Sequence, residues 1–240
     1  MLVDIHNHSL FGVDDGAKDI ETSISMLRDA KKQGIGAVVF TPHYREGMFR
    51  YPLERINANF EALKREADYI GVKVYLGCEY HVNDDTIANF RSGRCHSLAD
   101  GDYILSEYSH LSDENKIISN TREIIEAGYI PVLAHVERYN CIQDDPEICW
   151  DLLDMGALIQ VNADSILGYE GNNLKQVCKK LLKKKCVSIV ASDAHDIKHR
   201  PNNLAECYEY LKKKYDLDMA DDLCIDNPRK IIRKKRLKIE

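Results

Sequence analysis

Short apolar runs rich in β-branched residues recur along the chain, each followed by a polar turn and then by a stretch with helical spacing. Seven such runs cover residues 2–6, 37–41, 73–79, 103–107, 130–135, 157–162 and 187–193. They mix Val, Ile, Leu and Tyr, as strands buried on both faces do. Between them, Ile20, Ile24, Leu27 and Ala30 share one helical face behind Asp19, a side chain suited to cap a helix. Ile56, Phe60 and Leu63 recur in the same way, as do Ile117, Thr121, Ile124 and Ile125. Further helical stretches run near 148–155, 174–182 and 204–211. Strands alternating with helices predict a parallel sheet with right-handed crossovers. The pattern alone leaves open whether that sheet is open or closed into a barrel. No Pro-, Ser- or Gly-rich linker divides residues 1–240, so one domain is expected.

Composition narrows the class. The 240 residues suffice for one large core. A 44% apolar and 30% charged chain is an ordinary globular one. The net charge of -6 argues against a general nucleic-acid binder. It does not argue against a phosphate substrate, because bound cations reverse the local charge. The eight cysteines form no C-x-x-C pair, and the start, MLVDIHNH, has neither region of a signal peptide. No apolar run approaches the roughly 18 residues that a membrane span needs. These features predict a cytoplasmic protein, not embedded in a membrane, with reduced thiols. Basic clusters at 179–185 and 229–238 read as solvated helix faces.

The chemistry lies in where His, Asp and Glu fall. His6 and His8 close the first strand, and Asp15 lies in the loop after it. His43 follows the second strand, Glu79 ends the third, Glu107 the fourth and His135 the fifth. Asp193 and His195 end the seventh. In a parallel α/β fold these strand ends converge on one face, where active sites lie. Polar groups closing apolar strands are costly without partners. One such case would be noise, but six of the seven strands show it. His6 and His8, two apart, share a strand face and suit one metal. Of the remaining histidines, His81, His96, His110 and His199 read as structural, with His81 and His110 close enough in sequence to support Glu79 and Glu107.

Five imidazoles and four carboxylates without cysteine suit Mn, Fe, Zn or Mg rather than a thiolate site. Nine ligands are too many for one ion, but suit two or three that share a bridging carboxylate. Three divalent ions would bring about +6 against about -4 from the carboxylates. Arg138 and Arg200 add to that surplus, so a phosphate dianion fits. The expected chemistry is in-line attack on phosphorus by a metal-bound hydroxide. No cysteine has Arg six positions later, and no P-loop, G-x-G-x-x-G or G-x-S-x-G motif is present.

The segments DIHNH, GVDDGA, TPHY, LGCEY, LAHVERY, ASDAH and HRP, in that order over residues 3–201, resemble the PHP (polymerase and histidinol phosphatase) superfamily. More closely, they resemble its branch of bacterial manganese-dependent protein tyrosine phosphatases of the capsule-biosynthesis type. The resemblance implies a distorted seven-stranded (β/α)7 TIM-like barrel with three divalent ions, Mn2+ foremost. It implies one ion on His6, His8, Glu79 and Asp193. Glu79 would bridge to a second with Glu107 and His135, and Asp15, His43 and His195 would hold the third. Arg138 and Arg200 would bind phosphate. The implied substrate is phosphotyrosine on the tail of a bacterial tyrosine autokinase that controls capsular or exopolysaccharide export. One departure is Val136 where the family often has Pro; it removes no ligand.

No general acid is assigned; a phenol leaving group with a pKa near 10 needs little help. Residues 43–52 carry Arg45, Phe49, Arg50 and Tyr51, a candidate rim for an extended tyrosine peptide. A small-molecule phosphatase of the histidinol-phosphatase type stays open as an alternative. A non-catalytic PHP module is disfavoured because all nine ligand positions are filled, and a metal-dependent nuclease because no basic groove is evident.

Overall fold

The computed structural model describes residues 1–237. Every apolar run pairs as a parallel strand, but two of the seven break. The strands are β1 (Leu2–Asn7), β2 (Ile35–Phe40), β3 (His43–Tyr44), β4 (Lys73–Leu76), β5 (Glu79–His81), β6 (Tyr103–Glu107), β7 (Ile130–Leu133), β8 (Leu158–Asn162) and β9 (Ile189–Ala191). The second run ends at Phe40, and past Pro42, which has no amide hydrogen to give the ladder, the strand continues beyond the expected bounds as β3. The third pauses at Gly77, where a Cβ would meet Leu98 Cδ2 at 2.9 Å. The missing side chain leaves room for Leu98 to pack against Gly77.

Two hydrogen-bonded sets result, ordered β1-β2-β4 and β3-β5-β6-β7-β8-β9. They join at both margins. Gly77 N–H donates to Phe40 O (2.8 Å) on one side. On the other, Asp193 N–H donates to His6 O and His8 N–H to Ala194 O, both at 2.9 Å. The fold is therefore α/β, with a curled parallel sheet.

The helices are α1 (Ile20–Lys32), α2 (Leu53–Ile70), α3 (Thr86–Arg91), α4 (Glu114–Glu126), α5 (Asn140–Asp144), α6 (Ile148–Asp154), α7 (Ala163–Leu167), α8 (Asn172–Lys183), α9 (Leu204–Lys214), α10 (Leu217–Asp221) and α11 (Asn227–Ile232). Asp19 caps α1 as expected, accepting from Thr22 N–H at 2.8 Å. The five-residue helices α5, α7 and α10 are too short for apolar periodicity to reveal.

The curl divides the core in two. Inside it, Val3, Ile5, Ala37, Val39, Leu105, Val132, Leu158 and Ile189 pack together, plugged by Ile231 of α11. Outside it, Leu27, Ile56, Leu63, Ile117 and Ile124 cover Val38, Phe40 and Ile104. Strands with an apolar core on each face explain the weak alternation of the sequence. All eight cysteines are free, and all but Cys141 are buried. The Lys179–Lys185 stretch keeps its lysines exposed, as a solvated helix face does. In the second basic cluster Arg229 and Lys230 are half-buried and Arg233–Arg236 exposed, while Lys238 lies outside the described residues. Among the described residues, no helix is long and apolar enough to cross a membrane.

The loop after β1 folds back on its own strand. Gly12 N–H donates to Ala17 O (2.8 Å) and Ala17 N–H to His8 O (3.0 Å). Gly16 lies so close beneath that a Cβ there would sit 2.1 Å from His8 O and 2.6 Å from His8 Cβ. A side chain cannot enter without moving the loop. Gly16→Ala should cost roughly 1–3 kcal/mol, the range for overpacking a well-packed site. A urea midpoint equal to that of the parent protein would show that the contact is not felt.

Candidate metal centre

The strand ends and the loops after them bring all nine expected ligand residues to one mouth of the curl. Four of them, His8, Asp15, His43 and His195, place one ligand atom each within 4.8 Å of one another. His6, His8 and Asp193 form a second such group, and His43, Glu79 and Glu107 a third. His135 joins through Nε2, 2.7 Å from Glu79 Oε1. The pairing of β1 with β2 shifts register between Asp4 and Asn7. Within that irregularity His6 turns to Gln160 of β8, with Nδ1 3.2 Å from its Oε1.

The donor set fits divalent cations. His6, His8, His135, Glu79, Asp193 and His195 are each under 5% exposed. Yet His6 Nε2, His8 Nε2, His43 Nδ1, Glu79 Oε2, His135 Nδ1 and His195 Nε2 are buried without a hydrogen-bond partner. Three imidazoles have their tautomer fixed from behind. Nδ1–H of His6 faces Gln160 Oε1, that of His8 faces Asp14 Oδ2 at 2.7 Å, and that of His195 faces the Asp193 carbonyl at 2.9 Å. In each, Nε2 is the nitrogen left to face the centre, where its lone pair can go to a cation, the arrangement metal-binding histidines use.

Spacing agrees. Glu79 Oε2 lies 3.2 Å from His6 Nε2 and 3.3 Å from His8 Nε2. Asp193 Oδ1 lies 3.5 Å from both. Asp15 Oδ1 lies 3.4 Å from the Nε2 atoms of His43 and His195. Two atoms on one ion, each about 2.1 Å away, would be roughly 3.0–3.5 Å apart. His43 straddles two groups, because its Nδ1 is 2.8 Å from Glu79 Oε2.

Electrostatics point the same way. For Glu79, burial is the largest influence and pushes the carboxyl up, but His6, His43 and His135 outweigh it and hold it well below its usual range. Burial is also the largest influence on Asp193, overcome by His6, Arg200 and Arg138, so that it too is depressed. Burial and His43 pull His8 down, yet Asp14 and Glu79 hold it up at about 9. Burial opposes His43 as well, and Glu79 and Asp15 raise it to about 11. Without cations, protons take their place, so metal binding must release protons.

Two of the residues sit on strained backbone. His135 has φ 34° and Asp193 φ 54°. Neither residue is glycine, so each costs on the order of 1–3 kcal/mol. Surrounding bonds hold them there: His135 N–H donates to Gln160 Oε1 at 2.9 Å, and Asp193 N–H to His6 O.

Asp193 Oδ2 faces away from the imidazoles toward the two arginines. It accepts from Arg200 Nη2 (2.8 Å), Asn162 Nδ2 (2.9 Å) and Arg138 Nη1 (3.3 Å). Both guanidiniums thus lie on one carboxylate at the edge of the centre. Arg138 also pairs with Glu170, which in turn accepts from Ser165 Oγ.

His81 Nδ1 is 3.1 Å from Glu107 Oε2, one of the two glutamates expected to be supported, whereas the His110 ring meets His135 edge-on at 6.5 Å. His96 bonds Asp100 and Asn57 away from the centre. Tyr51 is a correction. It was expected on the rim, but it is buried, and its hydroxyl donates to Gly77 O at 3.0 Å. The break at Gly77 exposes that carbonyl to it. Asp14, Gln160, Asn162 and Glu170 were not anticipated. Asp14 had a signal, its place beside Asp15 in GVDDGA. Glu170, in the loop between α7 and α8, had none.

Comparison with known proteins is consistent over the whole chain. Residues 2–233 match the sequence profile of the family described as capsular polysaccharide synthesis, CpsB/CapC. The chain is 32% identical over 238 residues to tyrosine-protein phosphatase CpsB of Streptococcus pneumoniae, covering 96% of this chain and 98% of that one. It is 31% identical over 216 residues to tyrosine-protein phosphatase YwqE of Bacillus subtilis, covering 89% and 85%. It superposes with a TM-score of 0.92, at 29% identity and over 99% of this chain and 96% of the other, on a crystal structure from work on YwqE and CpsB, described as unique metal-dependent tyrosine phosphatases. The phosphotriesterase homology protein of Escherichia coli, at TM-score 0.62 and 12% identity over 95% of this chain and 97% of that one, shares the fold alone.

A centre of this kind should stabilise the protein when loaded. At a hundredfold excess over Kd, one bound ion adds about 2.7 kcal/mol. For a chain of this size that corresponds to roughly 5–10 °C in Tm. Manganese added to chelator-treated protein should raise Tm by at least this much, and His8→Ala should remove most of the rise. An identical melting curve with and without the ion would sink the assignment.

Proposed function

Starting from a chain that belongs to the CpsB/CapC capsular polysaccharide synthesis family, we infer that it is a metal-dependent protein tyrosine phosphatase, hydrolysing the phosphate monoester of phosphotyrosine. The observation that carries this reading is the cluster of six orphaned, buried ligand atoms facing two arginines across Asp193.

Nine residues would hold the cations: His6, His8, Asp15, His43, Glu79, Glu107, His135, Asp193 and His195. Three ions, with Mn2+ foremost, are our reading: the ligand atoms fall into three overlapping groups that have His8 and His43 in common, and Glu79 Oε2, within 3.3 Å of His6, His8 and His43, is placed to bridge two ions. Bound there, such ions supply Lewis acidity toward the phosphoryl oxygens and bring the pKa of water toward neutrality. The protein's own residues do the rest. Arg138 and Arg200 offer their remaining N–H groups to the equatorial phosphoryl oxygens, where charge spreads in a loose transition state. Asp193 Oδ2, with Asn162, keeps both guanidiniums at that edge. Asp14, Gln160 and the Asp193 carbonyl hold three imidazole rings against rotation. We read the sheet as seven staves, with β2–β3 and β4–β5 each one interrupted stave and β9 closing on β1. The inferred substrate is a tyrosine-phosphorylated bacterial kinase met in the cytoplasm; the family's tie to capsular polysaccharide synthesis supports this choice.

Chelation should abolish hydrolysis of an aryl phosphate, and Mn2+ should restore it. Arg138→Lys, which loses the planar fork, should lower kcat/KM by about 10- to 100-fold. The double variant His6→Ala/His135→Ala should be inactive at any metal concentration, and full turnover by it would end the proposal. Rates on a phosphotyrosine peptide and on histidinol phosphate, measured side by side, separate this function from that of a small-molecule phosphatase.

A further inference from the structure

The mouth of the centre has a shaped outer wall. Arg45 to Phe49 form a tight arch, in which Phe49 N–H donates to Arg45 O at 2.8 Å and Arg45 N–H to Phe49 O at 3.1 Å. Gly47, at φ 77°, makes the turn in a region that a side chain would disfavour. The arch leaves Met48 62% exposed. Its Phe49 ring stacks on His43, with centroids 4.7 Å apart and planes at 17°. Across a groove of about 530 Å³ stands the loop Gly12–Asp15, with Lys18 beyond it and Arg50 on the arch side. The groove runs down to Asp15, whose carboxylate is half exposed and reaches His43 and His195.

We propose that this groove seats an extended, tyrosine-phosphorylated chain whose acidic residues flank the phosphotyrosine. This identification of the substrate rests on the phosphatase reading above. Three observations carry it. First, depth: His6, His8 and Glu79 are at most 1% exposed, whereas Met48 of the arch is 62% exposed. A phenyl arm carries its phosphate farther from the backbone than a serine arm does, and so reaches deeper toward them. Second, surface: the exposed Met48 and the partly exposed Phe49 are adaptable apolar contacts for a ring and a chain passing over them. Third, charge: on a chain with net charge -6, the groove's outer edges carry the exposed cations Lys18 and Arg50. Arg45 on the inner side lies 4.0 Å from Glu107, and Glu46 at the turn is the arch's one acidic side chain. Opposite charge on the partner steers it to this edge and fixes its direction.

The test uses the metal-loaded full chain and three substrates: p-nitrophenyl phosphate, a phosphotyrosine peptide flanked by Glu, and the same peptide flanked by Lys. At low ionic strength the Glu peptide should have a kcat/KM about fivefold or more above the Lys peptide, a gap that salt closes. Lys18→Glu/Arg50→Glu should invert the preference while p-nitrophenyl phosphate turnover stays within about twofold. Met48→Ser should lower kcat/KM on both peptides and not on the small substrate. Equal rates on the two peptides, or a preference that survives the double charge reversal, overturn the groove assignment. Failure to hydrolyse p-nitrophenyl phosphate at all overturns instead the phosphatase reading beneath it.

Discussion

The structure is organised around lone pairs and carboxylates that are taken out of water and denied donors. Six buried ligand atoms have no hydrogen-bond partner, although carboxylates and imidazoles crowd within 3.5 Å of each other. Such groups cost several kcal/mol each if left so. Positive charge in their midst is the one thing that satisfies them all at once. The same atoms that would make a poor core make a good cation cage. The surplus charge then turns toward Arg138 and Arg200, where an anion is welcome.

Holding that arrangement falls to residues that never face the centre. Asp4 is fully buried on β1 and accepts from Ser192 N–H (3.0 Å), Ser192 Oγ (2.6 Å), Asn7 Nδ2 (3.0 Å) and Asn202 Nδ2 (2.8 Å). Burial, the largest influence, raises its pKa against those bonds. The cost is repaid in position: one carboxylate ties the first strand to the residue before Asp193 and to the segment after Arg200. Gln160 acts likewise from β8, fixing the His6 ring and the strained His135 backbone together. Glu170 steadies Arg138 from the opposite side of Asp193. A centre assembled from many strand ends needs such cross-links, because each strand alone leaves its last side chain free to swing.

Most of the centre was legible in the linear sequence, and for a specific reason. In a parallel sheet every strand delivers its C-terminal end to the same face, so a ligand at a strand end is also a ligand at the site. His6, Glu79, Glu107 and Asp193 could therefore be grouped from strand positions alone. What could not be read were partners whose role depends on distance across the curl. Gln160 looks like one polar residue in an apolar strand, and Glu170 like any loop acid. Tyr51 looked exposed because its neighbours in the loop are; the carbonyl freed at Gly77 draws it inward. The strand breaks are not legible either, since an apolar run does not record that Leu98 will pack against Gly77.

By itself, then, the sequence determined the alternation of strands and helices, the cap at Asp19, the chemistry of the donor set and the face on which it gathers. These follow from local periodicity and side-chain type, which need no partner. The tertiary structure alone decided that β9 returns beside β1, which lone pairs are left without a donor, which imidazole nitrogen faces the centre, and where the arch stands over it. Those are properties of pairs far apart in the chain, such as His6 with Gln160 and Asp4 with Ser192, and the distance between them exists only once the sheet has curled.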